Sequence, residues 1–292
     1  MHPPTSDPPT ELEGVAAALG LHVEGELRRT DKTLLAAGRW NDRPVVVKLL
    51  TDTDPFWVAK WRHEIDVYRI FRDHPPPVRA AKLLHTDGRR LLIVERLPGV
   101  PVDRDRYPAR PVEAPAVNAA ADAVVTLASW RPAPPGFQPI FNYPDRIARY
   151  HAHGLLDGTD RQALTTLLEA SGDQWEVNHG DPLPSNIIYD GAICGLVDWE
   201  FTGLYLPGFD LAMLHTVLAN TPHARDVIDH HVTTRNIQVP FAVNLAMAIT
   251  RELRLHRELP ADNPQRRRLA TITATWRAAR QRIHTLASQA GH

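Results

Sequence analysis

NHGDPLPSNIIYDGAICGLVD, residues 178–198, puts His179, Asp181 and Asn186 into one short polar loop. Two runs of apolar strand formers follow, at 187–189 and 193–197, joined by an Asp190-Gly191 pair that suits a hairpin turn. Asp198 ends the second run. A hairpin brings its two ends together, so Asn186 and Asp198 become neighbours although twelve positions separate them. An amide oxygen beside a carboxylate at the mouth of a wet cleft suits a hard cation that keeps several waters, which points to Mg²⁺. Asp181, earlier in the loop, is left to face a hydroxyl. A metal for the phosphates and a carboxylate to position a nucleophile are the parts phosphoryl transfer requires.

The pattern His-x-Asp-x-x-x-x-Asn with a later Asp resembles the catalytic and metal-binding segment of the aminoglycoside phosphotransferase and choline kinase superfamily. HGD at 179–181 is closer to the antibiotic kinases, and GFDLA at 208–212 to the choline kinases. The resemblance implies an α+β, two-lobed, protein-kinase-like fold with a small antiparallel-sheet N-lobe and a larger, mainly helical C-lobe. It implies a purine nucleoside triphosphate (ATP or GTP) as donor, Mg²⁺ held by Asn186 and Asp198, and Asp181 as the catalytic carboxylate. His179 then holds the loop together, and Asp210, just inside a helix start, braces it. Without other kinase parts upstream, the same residues read as a plain polar loop beside a hairpin.

The upstream half contains candidates for those parts in the expected order. Strands are expected at 22–27, 34–40 and 44–50, with Asn41-Asp42 turning the second into the third. The loop between the first two, RRTDKT at 28–33, has no glycine, so Thr30 and Thr33 are the candidates to meet a phosphate there. This departs from the glycine-rich pattern of protein kinases. Lys48 sits in the apolar run VVVKLL; alone, it fits an exposed edge strand. Residues 56–71 then form an amphipathic helix with Trp57, Trp61, Ile65 and Tyr68 on one stripe and Glu64 at its margin. Glu64 alone fits a solvated helix face; by resemblance, Lys48 and Glu64 are the ion pair that aims a lysine at the α- and β-phosphates. Strands at 78–85 and 91–95 flank an Asp87-Gly88 turn. LLIVERLPG at 91–99 resembles the hinge of these kinases, with Ile93 behind the base and the Val94 carbonyl and Arg96 N–H bonding it.

Residues 1–10 read as a proline-rich disordered tail without the features of a signal peptide, 11–97 as the nucleotide-binding N-lobe, and 98–292 as the C-lobe with the acceptor-binding helices. The segment 98–115 reads as a connector, followed by helices at 116–130, 143–153, 160–170, 241–258 and 264–287. Only eleven residues separate Asp198 from Asp210, too few for a peptide-binding activation segment, so the acceptor is expected to be a small molecule. No run of eighteen apolar residues spans a membrane, and the single cysteine, Cys194, fits a reducing cytoplasm.

The net charge of -1 gives no pull toward nucleic acid, but residues 213–292 carry 11 Lys+Arg against 5 Asp+Glu. Arg251, Arg254 and Arg257 recur at three-residue spacing. A positive acceptor wall would repel a polycationic aminoglycoside and suit a nucleoside or other non-polycationic antibiotic. Alternatives are a metabolic kinase of choline, an amino alcohol, homoserine or a sugar, for which Trp199, Tyr205 and Trp276 are candidates for an aromatic box. A catalytically silent nucleotide-binding scaffold is the alternative of another class.

Overall fold

The computed structural model describes residues 9–132 and 136–290. Residues 1–8 of the tail expected at 1–10 lie outside the described residues, whereas Pro9 is buried and Thr10 already begins a helical turn. Helix α1 (Glu13–Leu19) is closed by Gly20 in the left-handed conformation. Strands β1 (His22–Arg29), β2 (Thr33–Trp40) and β3 (Arg43–Leu50) follow. Asn41 and Asp42 both take positive φ, the geometry a two-residue hairpin turn demands. Helix α2 (Pro55–Asp73) starts at Asp54, whose side chain accepts the Phe56 N–H.

The strand expected at 78–85 divides into β4 (Arg79–Ala80) and β5 (Leu83–Thr86), and β6 (Leu91–Glu95) matches its expectation. The first sheet runs β1-β2-β3-β6-β5, antiparallel throughout. Strand alternation gives it two different faces. Leu34, Ala36, Val45, Val47, Leu91 and Ile93 pack with Leu12 beneath α1. Leu35, Val46, Lys48, Leu92 and Val94 face the other way, into a cleft. Lys48 therefore lies on a central strand, not an edge.

The remaining elements are β7 (Val100–Pro101), α3 (Ala114–Ala128), α4 (Tyr143–Ala152), α5 (Gly158–Ala170), β8 (Glu176–Asn178), β9 (Ile187–Tyr189), β10 (Cys194–Leu196), β11 (Gly203–Tyr205), α6 (Phe209–Val217), α7 (Pro222–Thr234), α8 (Gln238–Glu258) and α9 (Leu269–Ala290). β9 and β10 are the expected hairpin, extended by β4 on one side and β7 on the other. α8 is the axis of the larger half: every residue from Pro240 to Thr250 is buried, and α5, α6 and α9 pack against it. A helix apolar on most of its faces must be surrounded in this way. Helix α7 was not expected, because only Ala224, Ile228 and Val232 mark its single buried stripe. Cys194 is buried, which pushes its thiol up to about 12 and leaves it inert. Among the described residues no helix is long and apolar enough to cross a membrane.

Candidate active site

The sheet and the polar loop close on one cleft of about 630 Å³, lined by Lys48, Glu64, Asp181, Asn186 and Asp198 together. The hairpin does the local work: the Val197 N–H donates to the Asn186 carbonyl at 3.0 Å, tying the two ends of β9–β10. Lys48 Nζ lies 2.6 Å from Glu64 Oε2 and 2.6 Å from Asp198 Oδ1. Burial opposes the charge of this ammonium, but Asp198 and Glu64 outweigh it and hold its pKa well above the usual value. Two carboxylates thus share one cation. Burial pushes the enclosed Glu64 up to about 7, whereas Lys48 overcomes burial at Asp198 and holds it below the usual carboxylate range.

The loop is built to present Asp181. Its N–H donates to His179 Nδ1 at 3.3 Å, and its carbonyl accepts from the Leu183 N–H and from Asn186 Nδ2. His179 Nε2 in turn sits 2.9 Å from the Val197 carbonyl, which requires the proton on Nε2 and leaves Nδ1 as the acceptor. Burial lowers the pKa of this ring, so it stays neutral and structural. Asp210 accepts the N–H groups of His179 and Gly180 at 2.6 and 2.9 Å. Burial pushes its carboxyl up to about 7 against the pull of those donors. Asp181 Oδ1 is buried without a hydrogen-bond partner. A buried carboxylate oxygen left unpaired is costly unless a ligand completes it.

Gly180, between them, has φ +83°, and an added Cβ would lie 2.2 Å from the Phe201 carbonyl oxygen. Gly180→Ala is therefore expected to cost about 1–3 kcal/mol of stability. A thermal melt unchanged from the parent would show that the loop relaxes around the methyl.

Several expectations need correction. Ile93 does not stand behind the cleft: its side chain packs under α1, and its neighbours Leu92 and Val94 line the pocket. The Arg96 N–H is already given to the Pro44 carbonyl at 3.1 Å, and Val94 lies within the ladder opposite Val46 and Leu83. Neither main-chain group is free for a base. Thr30 and Thr33 line the cleft, but their hydroxyls bond each other at 3.0 Å across a loop of only three residues. Trp199, Tyr205 and Trp276 are buried in the core and form no box. Of the three arginines of α8, only Arg251 lines the cleft; Arg254 pairs with Glu258, and Arg257 is exposed. Three-residue spacing drifts about 60° per step on a 3.6-residue helix, so the third member faces elsewhere.

Other cleft residues escaped the sequence. Lys32, in the glycine-free loop, reaches Glu200 at 2.6 Å and lies 3.8 Å above the Trp57 ring. Residues 98–115 are more than a connector, because Arg104 and Arg106 from this segment line the cleft. A charged side chain in a structureless stretch carries no periodic signal.

A profile of the phosphotransferase enzyme family matches residues 36–237. No curated protein matches the chain. Among solved structures, aminoglycoside phosphotransferase APH(4)-Ia superposes with a TM-score of 0.61 at 15% identity, over 96% of this chain and 98% of that one. A thermostable mutant of it has been solved with ADP and hygromycin B. Macrolide 2'-phosphotransferase MphH from Brachybacterium faecium gives 0.57 at 16% identity, over 94% and 97% of the two chains. Aminoglycoside 2'-phosphotransferase-IIIa, as its GDP complex, gives 0.52 at 12%, over 89% and 92%. At such identities the likeness is one of fold.

Proposed function

This chain belongs to the phosphotransferase enzyme family, and on that premise we propose that it transfers the γ-phosphate of a purine nucleoside triphosphate to a hydroxyl of a small, antibiotic-like acceptor that is not a polycation. The observation that carries this reading is one cleft holding the Lys48–Glu64–Asp198 cluster and an Asp181 oxygen that has no hydrogen-bond partner. In this reading residues 11–97 bind the nucleotide and 98–292 bring the catalytic loop and the acceptor walls. The purine lies between Leu35, Val46, Leu92 and Val94, side chains of the cleft-facing side of the sheet. Its main-chain partners are one step beyond the first expectation, the Glu95 carbonyl and the Leu97 N–H, where the chain leaves β6. Relatives solved with ADP and with GDP support a purine donor of either kind.

Lys48 neutralises the α- and β-phosphates and is kept in place by Glu64. The donor set fits Mg²⁺: Asn186 offers an amide oxygen that accepts only a long 3.4 Å hydrogen bond from Ser185 Oγ among the described residues, and Asp198 keeps Oδ2 beside the Lys48-bound Oδ1. When bound, the ion would neutralise charge on the β- and γ-phosphates. Asp181 accepts the hydrogen bond of the acceptor hydroxyl and orients its oxygen toward the γ-phosphorus. In a loose transition state this positioning matters more than full proton removal. A cytosolic donor suits a cytoplasmic enzyme. The choline alternative is less favoured, since its candidate aromatic residues are in the core.

Lys32 takes the part that glycine amides play elsewhere, moving its ammonium from Glu200 to the triphosphate. Lys32→Ala should raise the KM for nucleotide about tenfold with a smaller change in kcat, the loss of one charged contact. An unchanged KM would assign Lys32 to lobe closure alone. The reading as a whole is tested by following transfer from ATP and from GTP, with Mg²⁺, across aminoglycosides, nucleoside antibiotics, macrolides and amino alcohols. Absence of any nucleotide binding would overturn it.

A further inference from the structure

Two guanidinium groups flank the carboxylate that receives the acceptor. Arg251 Nη1 is 3.6 Å and Arg106 Nη1 3.9 Å from Asp181 Oδ1. These are ion-pair separations, too long for hydrogen bonds. Arg106 is held from behind, its Nη2 2.6 Å from Glu252 Oε1, while the Tyr107 hydroxyl bonds the other oxygen of that carboxylate. Glu252 is fully buried, so it fixes the arginine and leaves the cleft face of Arg106 uncovered. Arg106 Nε is buried with no partner, and among the described residues Arg251 makes no hydrogen bond. Arg104 lines the same cleft.

This wall therefore sets two positive charges against Asp181, the one cleft carboxylate beside them. Arg106 is fixed by Glu252, and among the described residues its Nη1 and the whole Arg251 guanidinium have no hydrogen-bond acceptor, which leaves them free for a ligand. A planar guanidinium fork matches a carboxylate or phosphate better than any neutral group. We propose that the acceptor is an alcohol carrying an oxyanion, a carboxylate or a phosphate monoester, which docks on Arg106 and Arg251 a few bonds from the hydroxyl that Asp181 orients. The proposal rests on the kinase reading above and narrows it. A polycationic acceptor meets like charge at the same wall and is rejected by it.

The test uses the full chain loaded with Mg²⁺ and AMP-PNP, and calorimetric titration with four probes of similar size: gluconate, glucose 6-phosphate, glucose and glucosamine. At least one of the two anions should bind about ten- to a hundredfold tighter than glucose, the worth of a charged hydrogen bond, and glucosamine should bind weakest. The stronger anion tells carboxylate from phosphate. Arg251→Lys should keep the order with weaker binding, and Arg251→Glu should invert it in favour of glucosamine, which a merely structural arginine would not do. Glucosamine equal to or tighter than both anions, no distinction among the four, or an order unmoved by Arg251→Glu overturns the proposal. The AMP-PNP isotherm, recorded first, reports separately on the kinase reading.

Discussion

Asp181→Ala is expected to lower turnover by about two to four orders of magnitude while nucleotide affinity survives. Among the described residues the side chain makes no hydrogen bond, and its buried Oδ1 has only the Arg251 and Arg106 guanidinium groups beside it. The bonds that shape the loop use the Asp181 main chain, the N–H to His179 and the carbonyl from Leu183 and Asn186, and alanine keeps them all. The variant should therefore melt near the parent temperature, so lost activity reports chemistry and not unfolding. Removing the carboxylate also leaves Arg251 without its ion-pair partner and Arg106 with Glu252 alone. An anionic acceptor should then bind as well as before or better, separating kcat from KM. Turnover within about threefold of the parent would take Asp181 out of the mechanism.

How much of this was legible in the sequence follows from how far apart the cooperating residues lie. The loop from His179 to Asn186 and its hairpin are local, so spacing and turn chemistry sufficed to bring Asn186 toward Asp198. Likewise Asn41-Asp42 announced its turn, and the stripe of α2 announced its buried face. The side Ile93 faces is not local information, because the facing of a strand depends on its register. Lys48 is paired with Leu92, and directly opposed residues share a face, so a cleft-facing Lys48 obliges Leu92 and not Ile93 to line the cleft. No single strand reveals that.

Long-range pairs were less accessible still. Lys32 and Glu200 are 168 residues apart, and Arg106 and Glu252 are 146 apart. Neither pair leaves a trace in periodicity. The charge excess of the last third did suggest a basic wall, but through the wrong set: Arg254 and Arg257 turn away, and the partner of Arg251 comes from a segment read as a connector. Trp199, Tyr205 and Trp276 show the converse. Large aromatics beside a site are usually its foundation, as Trp199 is beneath His179, with ring centroids 4.8 Å apart.

Asp198→Ala should weaken Mg²⁺-dependent nucleotide binding by at least about a hundredfold, a loss beyond that expected for removing an outer partner of a metal. The substitution also acts on the cluster around Lys48. With Asp198 gone the ammonium keeps Glu64 at 2.6 Å, so the buried cation is not orphaned. Glu64 loses a like-charged neighbour and holds its charge more firmly, because Asp198 is among the groups that push it toward 7. The fold should thus tolerate the change better than a broken buried ion pair would suggest. Backbone geometry is the complication: Asp198 has φ +71°, a conformation that costs alanine more than aspartate or asparagine. Asp198→Asn separates the two effects, since it tolerates the backbone and removes only the charge. Calorimetric titration of both variants with ATP or GTP, with and without Mg²⁺, decides between them. Loss of the Mg²⁺-dependent part in both assigns the carboxylate to the metal. Loss in the alanine variant alone traces the effect to backbone strain or to the amide oxygen that asparagine still offers the metal, and undiminished affinity in both refutes the metal assignment.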